Sequence, residues 1–150
     1  MSGETNPPTI LPGDRVTPAE YRSLLAAVEW CLLQQDDIEV AAALEASWNV
    51  IARTADGRLV GLARVLDDGV LYASVWGVIV RPERQRGGIG RALLAAVLEQ
   101  TAGRRLVSLI STAAGEALYR SAGFAEMDGR STALFRRAHE PEPLADDESG

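Results

Sequence analysis

The chain has 150 residues, 47% of them apolar, enough for one compact domain with a continuous core. Its formal charge of −6 is concentrated at the end, where Glu140, Glu142, Asp146, Asp147 and Glu148 leave sixteen acids against fifteen bases in the body, a balance that argues against nucleic-acid binding. One cysteine, Cys31, and one histidine, His139, exclude an internal disulfide and a Cys/His metal site, and no apolar run approaches the roughly 20 residues that cross a bilayer.

The first fourteen residues lack the basic and then apolar pattern of a secretion signal, so a cytoplasmic protein with no membrane partner and no metal is expected. Residues 9–11 read as a short first strand. Thr17-Pro18-Ala19-Glu20 combines an N-cap, a proline and an early carboxylate, and Tyr21, Leu24, Leu25 and Val28 follow at helical spacing, predicting a helix over 18–30. An alanine- and leucine-rich second helix is expected over 40–46, entered from Gln34-Gln35-Asp36-Asp37. Three apolar runs, 48–53, 59–66 and 70–80, are separated by Asp56-Gly57 and Asp67-Asp68-Gly69 and read as an antiparallel meander. Gly77 interrupts the third run, where a bulge or a close approach is easy.

After Pro82 the period becomes helical, with Ile89, Leu93, Leu94, Val97 and Leu98 on one stripe ending near Gly103. A short buried strand at 106–110, a helix at 113–121 closed by Gly123, and final strands at 124–127 and 132–136 complete the reading. Mixed α and β elements around one central sheet (α/β, with α+β character) are expected over a single domain, 1–137, followed by a solvated acidic tail, 138–150.

The segment from Val78 to Leu94 is a strand, a loop rich in glycine and arginine, and a helix. Glycines 87, 88 and 90 let the backbone approach a ligand closely, and the free N–H groups of the helix start favour an anion. Arg81, Arg84, Arg86 and Arg91 add charge, and the whole suits a pyrophosphate. A P-loop needs a lysine, and the chain has none; a Rossmann fingerprint needs a third glycine where Leu93 stands. The plain alternative is a glycine loop that only caps a helix.

Gln85-Arg86-Gly87-Gly88-Ile89-Gly90 resembles motif A of the Gcn5-related N-acetyltransferases (GNAT), whose pattern is Gln or Arg, two residues, Gly, one residue, Gly or Ala. Downstream, Ala117-Leu118-Tyr119-Arg120-Ser121-Ala122-Gly123-Phe124 resembles the same family's Tyr-x-x-x-Gly-Phe ending. The resemblance covers residues 9–136 and implies the GNAT fold, a central, mostly antiparallel sheet with one splayed parallel pair and flanking helices. It implies acetyl-CoA as cosubstrate, with Val78, Ile79 and Val80 pairing the pantetheine arm and Gln85, Arg86, Gly87, Gly88, Ile89, Gly90 and Arg91 at the pyrophosphate. Thr112 joins that cofactor set, and Tyr119 touches the coenzyme and protonates the departing thiolate. The resemblance also allows a homodimer.

The pattern departs from the family where a carboxylate often precedes motif A: here Trp76-Gly77 stands, and no general base is named. Ser74, Tyr72 and Ser111 could relay a proton through water. Trp30, Asp36, Asp37 and Trp76 would line the acceptor site, acids and aromatics suiting a cationic amine; the alternative is core tryptophans and a solvated acidic loop. The expected activity is acetyl transfer to a primary amine of a small molecule, of arylalkylamine or related type. A CoA-binding sensor without catalysis and a protein N-acetyltransferase are the competing readings.

Overall fold

The computed structural model describes residues 6–30 and 33–136, so Cys31, His139 and the acidic tail lie outside the described residues. The elements run β1 (Thr9–Pro12), α1 (Pro18–Ala27), α2 (Asp37–Ala46), β2 (Trp48–Arg53), β3 (Leu59–Asp67), β4 (Tyr72–Val80), α3 (Ile89–Gln100), β5 (Leu106–Leu109) and α4 (Glu116–Ser121), with 3₁₀ turns at Pro82–Arg84 and Ala113–Gly115. They fall into two compact units, one through Ile110 and one from Ser111 onward.

The first unit holds one five-stranded sheet in the order β1-β2-β3-β4-β5. Its first three pairings are antiparallel, and β4 with β5 is parallel. The α/β class and the mixed sheet follow the expectation. One face of the sheet carries α3: a Cβ on Gly61 would meet the Ile89 and Leu93 side chains at 3.1 Å, so only glycine lets the helix lie this close to β3. The other face carries α1 and α2, with Leu24, Leu25, Val40, Leu44, Ile51, Leu62 and Ile79 in one core. Each such leucine, fully buried, contributes about 1.5–3 kcal/mol.

Both helices on that face begin with a capping box. Thr17 and Glu20 exchange side-chain and backbone bonds at the start of α1, as their spacing implies. Asp36 and Glu39 do the same for α2, which therefore starts at Asp37 and not at Val40. The first helix stops at Ala27, short of the expected 30, because Glu29 turns into the left-handed region at φ 56° and the Trp30 N–H returns to the Leu25 carbonyl. The strand expected from residue 70, β4, begins at Tyr72 because Asp68 Oδ1 accepts the N–H groups of Val70, Leu71 and Tyr72 and holds them in a turn.

Two expectations fail in the second unit. The helix expected over 113–121 is a 3₁₀ turn followed by the six-residue α4. No strand forms over 124–127 or 132–136 among the described residues. The backbone there is committed locally: the Phe124 N–H donates to the Tyr119 carbonyl, and the Arg130 N–H to Asp128 Oδ1. Alternating apolar residues alone form no ladder without a partner strand.

Candidate functional site

Strand β4 is paired along its whole length on one side only. Its parallel partner β5 meets Tyr72 through Val75, so beyond Val75 no strand among the described residues pairs the edge facing away from β3, and that edge is open. The phase of the antiparallel ladder decides which groups that edge presents. The Arg81 N–H donates to the Val60 carbonyl, and alternate residues of such a ladder turn both backbone groups to the partner. Ile79, opposite Leu62, therefore keeps its N–H and C=O on β3, while Val78 and Val80 direct theirs to the open edge. Of the three residues expected to pair with the arm, two therefore present backbone groups to the open edge and Ile79 presents its own to β3. The Val80 carbonyl already accepts from Gln85 Nε2 at 3.0 Å. What the edge offers is the kind of extended pairing a chain-like ligand can take up.

At the head of the open edge β4 bulges. Val65 pairs with Val75 and Ala63 with Val78, so Trp76 and Gly77 both stand opposite Arg64. Gly77 has φ 88°, and a Cβ there would touch the Trp30 ring and the Ile79 side chain at 3.4 Å. Trp30 thus covers the bulge, and Trp76, half exposed, donates its indole N–H to Ser74 Oγ at 2.7 Å. The structure brings Trp30 and the Trp76-Gly77 pair together. Asp36 and Asp37 are engaged locally: Asp36 Oδ1 accepts the Glu39 N–H as helix cap, and Asp37 pairs with Arg22 at 3.0 Å.

Below the open edge the chain passes through the glycine loop into α3. Arg86 takes φ 66° and Gly88 φ 86°, and Gly88 is the N-cap with no side-chain bond to the helix. The first N–H to close the helix is that of Ala92, on the Gly88 carbonyl, which leaves those of Ile89, Gly90 and Arg91 at the helix start. A left-handed arginine costs about 1 kcal/mol, and loops that hold one commonly aim backbone N–H groups into a concavity. Apart from its chain neighbours, no atom of the described residues lies within 4 Å of a Cβ built on Gly88, so the space before the helix is open. Arg86 and Arg91 are exposed beside it. Arg81 is not part of it: its side chain is buried, bonds the Leu59 carbonyl at 2.7 Å and Ser23 Oγ at 3.0 Å, and burial lowers its pKa from the ordinary value. Arg84 donates to the Asn6 carbonyl. An open strand edge running into a positive helix start fits an extended chain that ends in a pyrophosphate.

In the second unit Thr112 Oγ1 accepts the Gly115 N–H at 3.3 Å and so caps the 3₁₀ turn, while Ser111 donates to the Thr112 carbonyl. Tyr119 is 8% exposed, edge-on to Phe124 with ring centroids 6.2 Å apart. Arg120 is held by Glu116 at 2.6 Å and by Glu126.

Sequence reasoning passed over Arg64. Its signal was a lone charge at an inward position of the apolar strand β3, where the Arg64 side chain reaches Tyr21, Ala43 and Ser47.

A five-stranded sheet with an open parallel pair, continued by a glycine loop at a helix start, is the architecture of acyltransferases that use a CoA thioester. The family profile described as the acetyltransferase (GNAT) domain matches residues 45–126, more than half the chain, and the chain belongs to that family. Among curated proteins it is similar to "Serotonin N-acetyltransferase 2, chloroplastic" of rice, Oryza sativa subsp. japonica, with 36% identity over 76 residues. That match spans 49% of this chain and only 38% of the rice protein. Among solved structures, a GNAT-family acetyltransferase from Streptococcus pneumoniae aligns with TM-score 0.73 and 28% identity over 89% of this chain and 99% of that one. AAC(6')-Iy, in complex with the bisubstrate analog CoA-S-monomethyl-acetylneamine, shares the fold at TM-score 0.64 and 20% identity, with 89% and 99% covered. No helix among the described residues is long and apolar enough to cross a membrane.

Proposed function

We propose that this protein transfers an acetyl group from acetyl-CoA to the primary amine of a small molecule, by direct attack within one complex. The observation that carries the reading is the open edge of β4 beyond Val75, which leads from the Trp76-Gly77 bulge to the start of α3. Acetyl-CoA supplies the acyl group as an activated thioester. Val78 and Val80 pair its pantetheine arm, and the backbone N–H groups around Gly88 to Arg91, with the Arg86 and Arg91 guanidinium groups, hold its pyrophosphate. Gln85 fixes the loop through its bond to the Val80 carbonyl.

The amine enters on the side of the bulge covered by Trp30, and Trp76 flanks it. The bulge carries no carboxylate, so the amine reacts in its neutral form and gives up its proton through water or the Ser74 hydroxyl. The Tyr119 hydroxyl donates a proton to the departing sulfur, a role that rests on the Tyr-x-x-x-Gly-Phe motif. The serotonin N-acetyltransferase relative and the CoA conjugate bound by AAC(6')-Iy support an amine acceptor and a CoA cosubstrate. We place the enzyme in the cytoplasm, without metal.

The test is release of free thiol from acetyl-CoA across arylalkylamines, polyamines, amino acids, aminoglycosides and lysine peptides. Turnover with a small amine is the expected result. Turnover confined to lysine peptides would make the protein a protein acetyltransferase, and silence across the panel with acetyl-CoA still bound would favour a sensor.

A further inference from the structure

The side of β4 that carries Trp76 stays apolar beyond the bulge. Residues paired across a sheet share a side, so the register sets Leu66, Ser74 and Ser108 in one row across β3, β4 and β5, and Tyr72 and Leu106 in the next. Trp76 belongs to the same side, since its indole N–H donates to Ser74 Oγ at 2.7 Å. Arg64, two residues before Leu66, identifies that side as the one under the helices: it reaches Tyr21 of α1 and Ala43 of α2. The helices stop short of the rows beyond. Leu66 is 45% exposed, and Tyr72, Trp76 and Leu106 are each 50% exposed.

The intervening residues Val65, Ala73 and Val75, on the other side of the sheet, are buried, so the core already has its share of these strands. The four half-exposed side chains stand in neighbouring positions and make an apolar patch on the order of 400 Å², a size that marks binding surfaces on small proteins. Its chemistry is uniform. The only acid in β3, β4 and β5 is Asp67, which lies on the other side, opposite buried Ala73, and pairs with Arg104. Asp68, at the turn before β4, spends its Oδ1 on the N–H groups of Val70, Leu71 and Tyr72.

The patch begins at the bulge itself, because Trp76 is a member of both. Ser74, at its centre, is two residues along the strand from Trp76, roughly 7 Å. We propose that this patch seats the body of the acceptor, which is a monoamine bearing an uncharged aromatic ring on a short tether. A ring over Ser74 has Trp76 and Tyr72 before and behind it along β4, and Leu66 and Leu106 on the flanking strands. Its amine then reaches the bulge across a tether of about two carbons, given the 3.3 Å rise per residue. Burial and aromatic contacts favour the ring, whereas the second ammonium of a diamine would lose its water on a surface without a counter-charge. This inference deepens the amine-acetyltransferase reading and rests on it.

The test compares phenethylamine with ethylamine, which lacks the ring, and with putrescine, which ends in a second ammonium. Transfer is followed as thiol release from acetyl-CoA, and binding by calorimetry on the full chain saturated with CoA. The native protein should favour phenethylamine over each of the others by about 10- to 100-fold in kcat/KM. Leu66→Gln and Leu106→Gln lie at half-exposed positions on strands other than β4; each should cut that preference several-fold, and the double variant should remove most of it, with acetyl-CoA affinity and melting temperature retained. A native protein that transfers to all three amines alike, or variants that lower all three equally, would overturn the seat and leave the transferase reading intact. Failure of phenethylamine both to bind and to react would overturn it as well. Phenethylamine binding that the double variant abolishes, with no amine acetylated, would uphold the seat and sink the transferase reading. Sedimentation gives the remaining arm: a native dimer that the double variant dissociates, with amine preference unchanged, would assign the patch to a second copy of the chain and overturn the proposal.

Discussion

Arg81 and Arg86 stand on the same stretch of chain and meet opposite fates. Arg81 turns inward to Leu59 and Ser23, and Arg86 adopts a left-handed backbone in solvent at the mouth of α3. Their residue type announced charge beside a glycine loop, but burial depends on where α1 lies over β3, a long-range fact that local pattern does not hold. The same holds for Asp36 and Asp37, which as acids near tryptophan suggested a cation site; the Asp-x-x-Glu spacing at 36–39 was the overlooked sign of a helix start. Tyr119 is the residue whose role is most directly testable. Tyr119→Phe keeps the ring that packs against Phe124, and kcat should fall about 100-fold with little change in the KM for acetyl-CoA. A phenol acid works only while protonated, so the native rate should decline toward high pH and the variant should lack that limb. An unchanged kcat at every pH would remove Tyr119 from the mechanism.

At the scale of elements, the meander, the helix after the glycine loop and the bulge at Gly77 were all legible, because turn pairs, helical periodicity and a strand glycine are local signals. The open half of β4 was not legible as such. It follows from β5 being four residues long against nine for β4, a mismatch that appears only once the register is known. The pairing phase that gives Val78 and Val80, but not Ile79, to the open edge is likewise a property of the ladder. Gly88→Glu tests the lower end of this element. Apart from its chain neighbours, nothing among the described residues lies within 4 Å of the new Cβ, so the fold should persist apart from the strain of φ 86°. The added carboxylate would take the N–H groups of the α3 start for itself, and calorimetry should record a loss of acetyl-CoA affinity of at least about 100-fold. Unaltered affinity would move the pyrophosphate elsewhere.

Across the whole molecule, the near-neutral body is laced by specific ion pairs. Arg104 and Asp67 join the chain after α3 to the end of β3 at 2.7 Å, with the Asp67 side chain only 6% exposed, and Arg53 joins β2 to Glu20 of α1. The partner guanidinium holds each carboxyl below its ordinary pKa. A carboxyl depressed in the folded state contributes stability that is fully present above its unfolded pKa and is lost as pH falls through the folded one. Thermal stability should therefore be flat near neutrality and fall below about pH 4, and Asp67→Asn should lower the melting temperature at pH 7 while making the acid decline shallower. An acid decline as steep in the variant as in the native protein would show that other groups carry it. The fold class was evident in the order of elements, whereas the division after Ile110 and the missing final strands depend on partners that no local window contains.

The bulge on β4 has one further consequence. Of the three tryptophans in the chain, Trp30 lies on Gly77 and Trp76 belongs to the bulge itself, while Trp48 sits beside Gly13 at the start of β2, two strands across the sheet from β4. Replacing Trp48 by phenylalanine would leave two intrinsic fluorophores at this one spot, one half-buried and one half-exposed. Emission colour and quenching would then follow arrivals and departures at the bulge in real time, in unlabelled protein and before any product has formed.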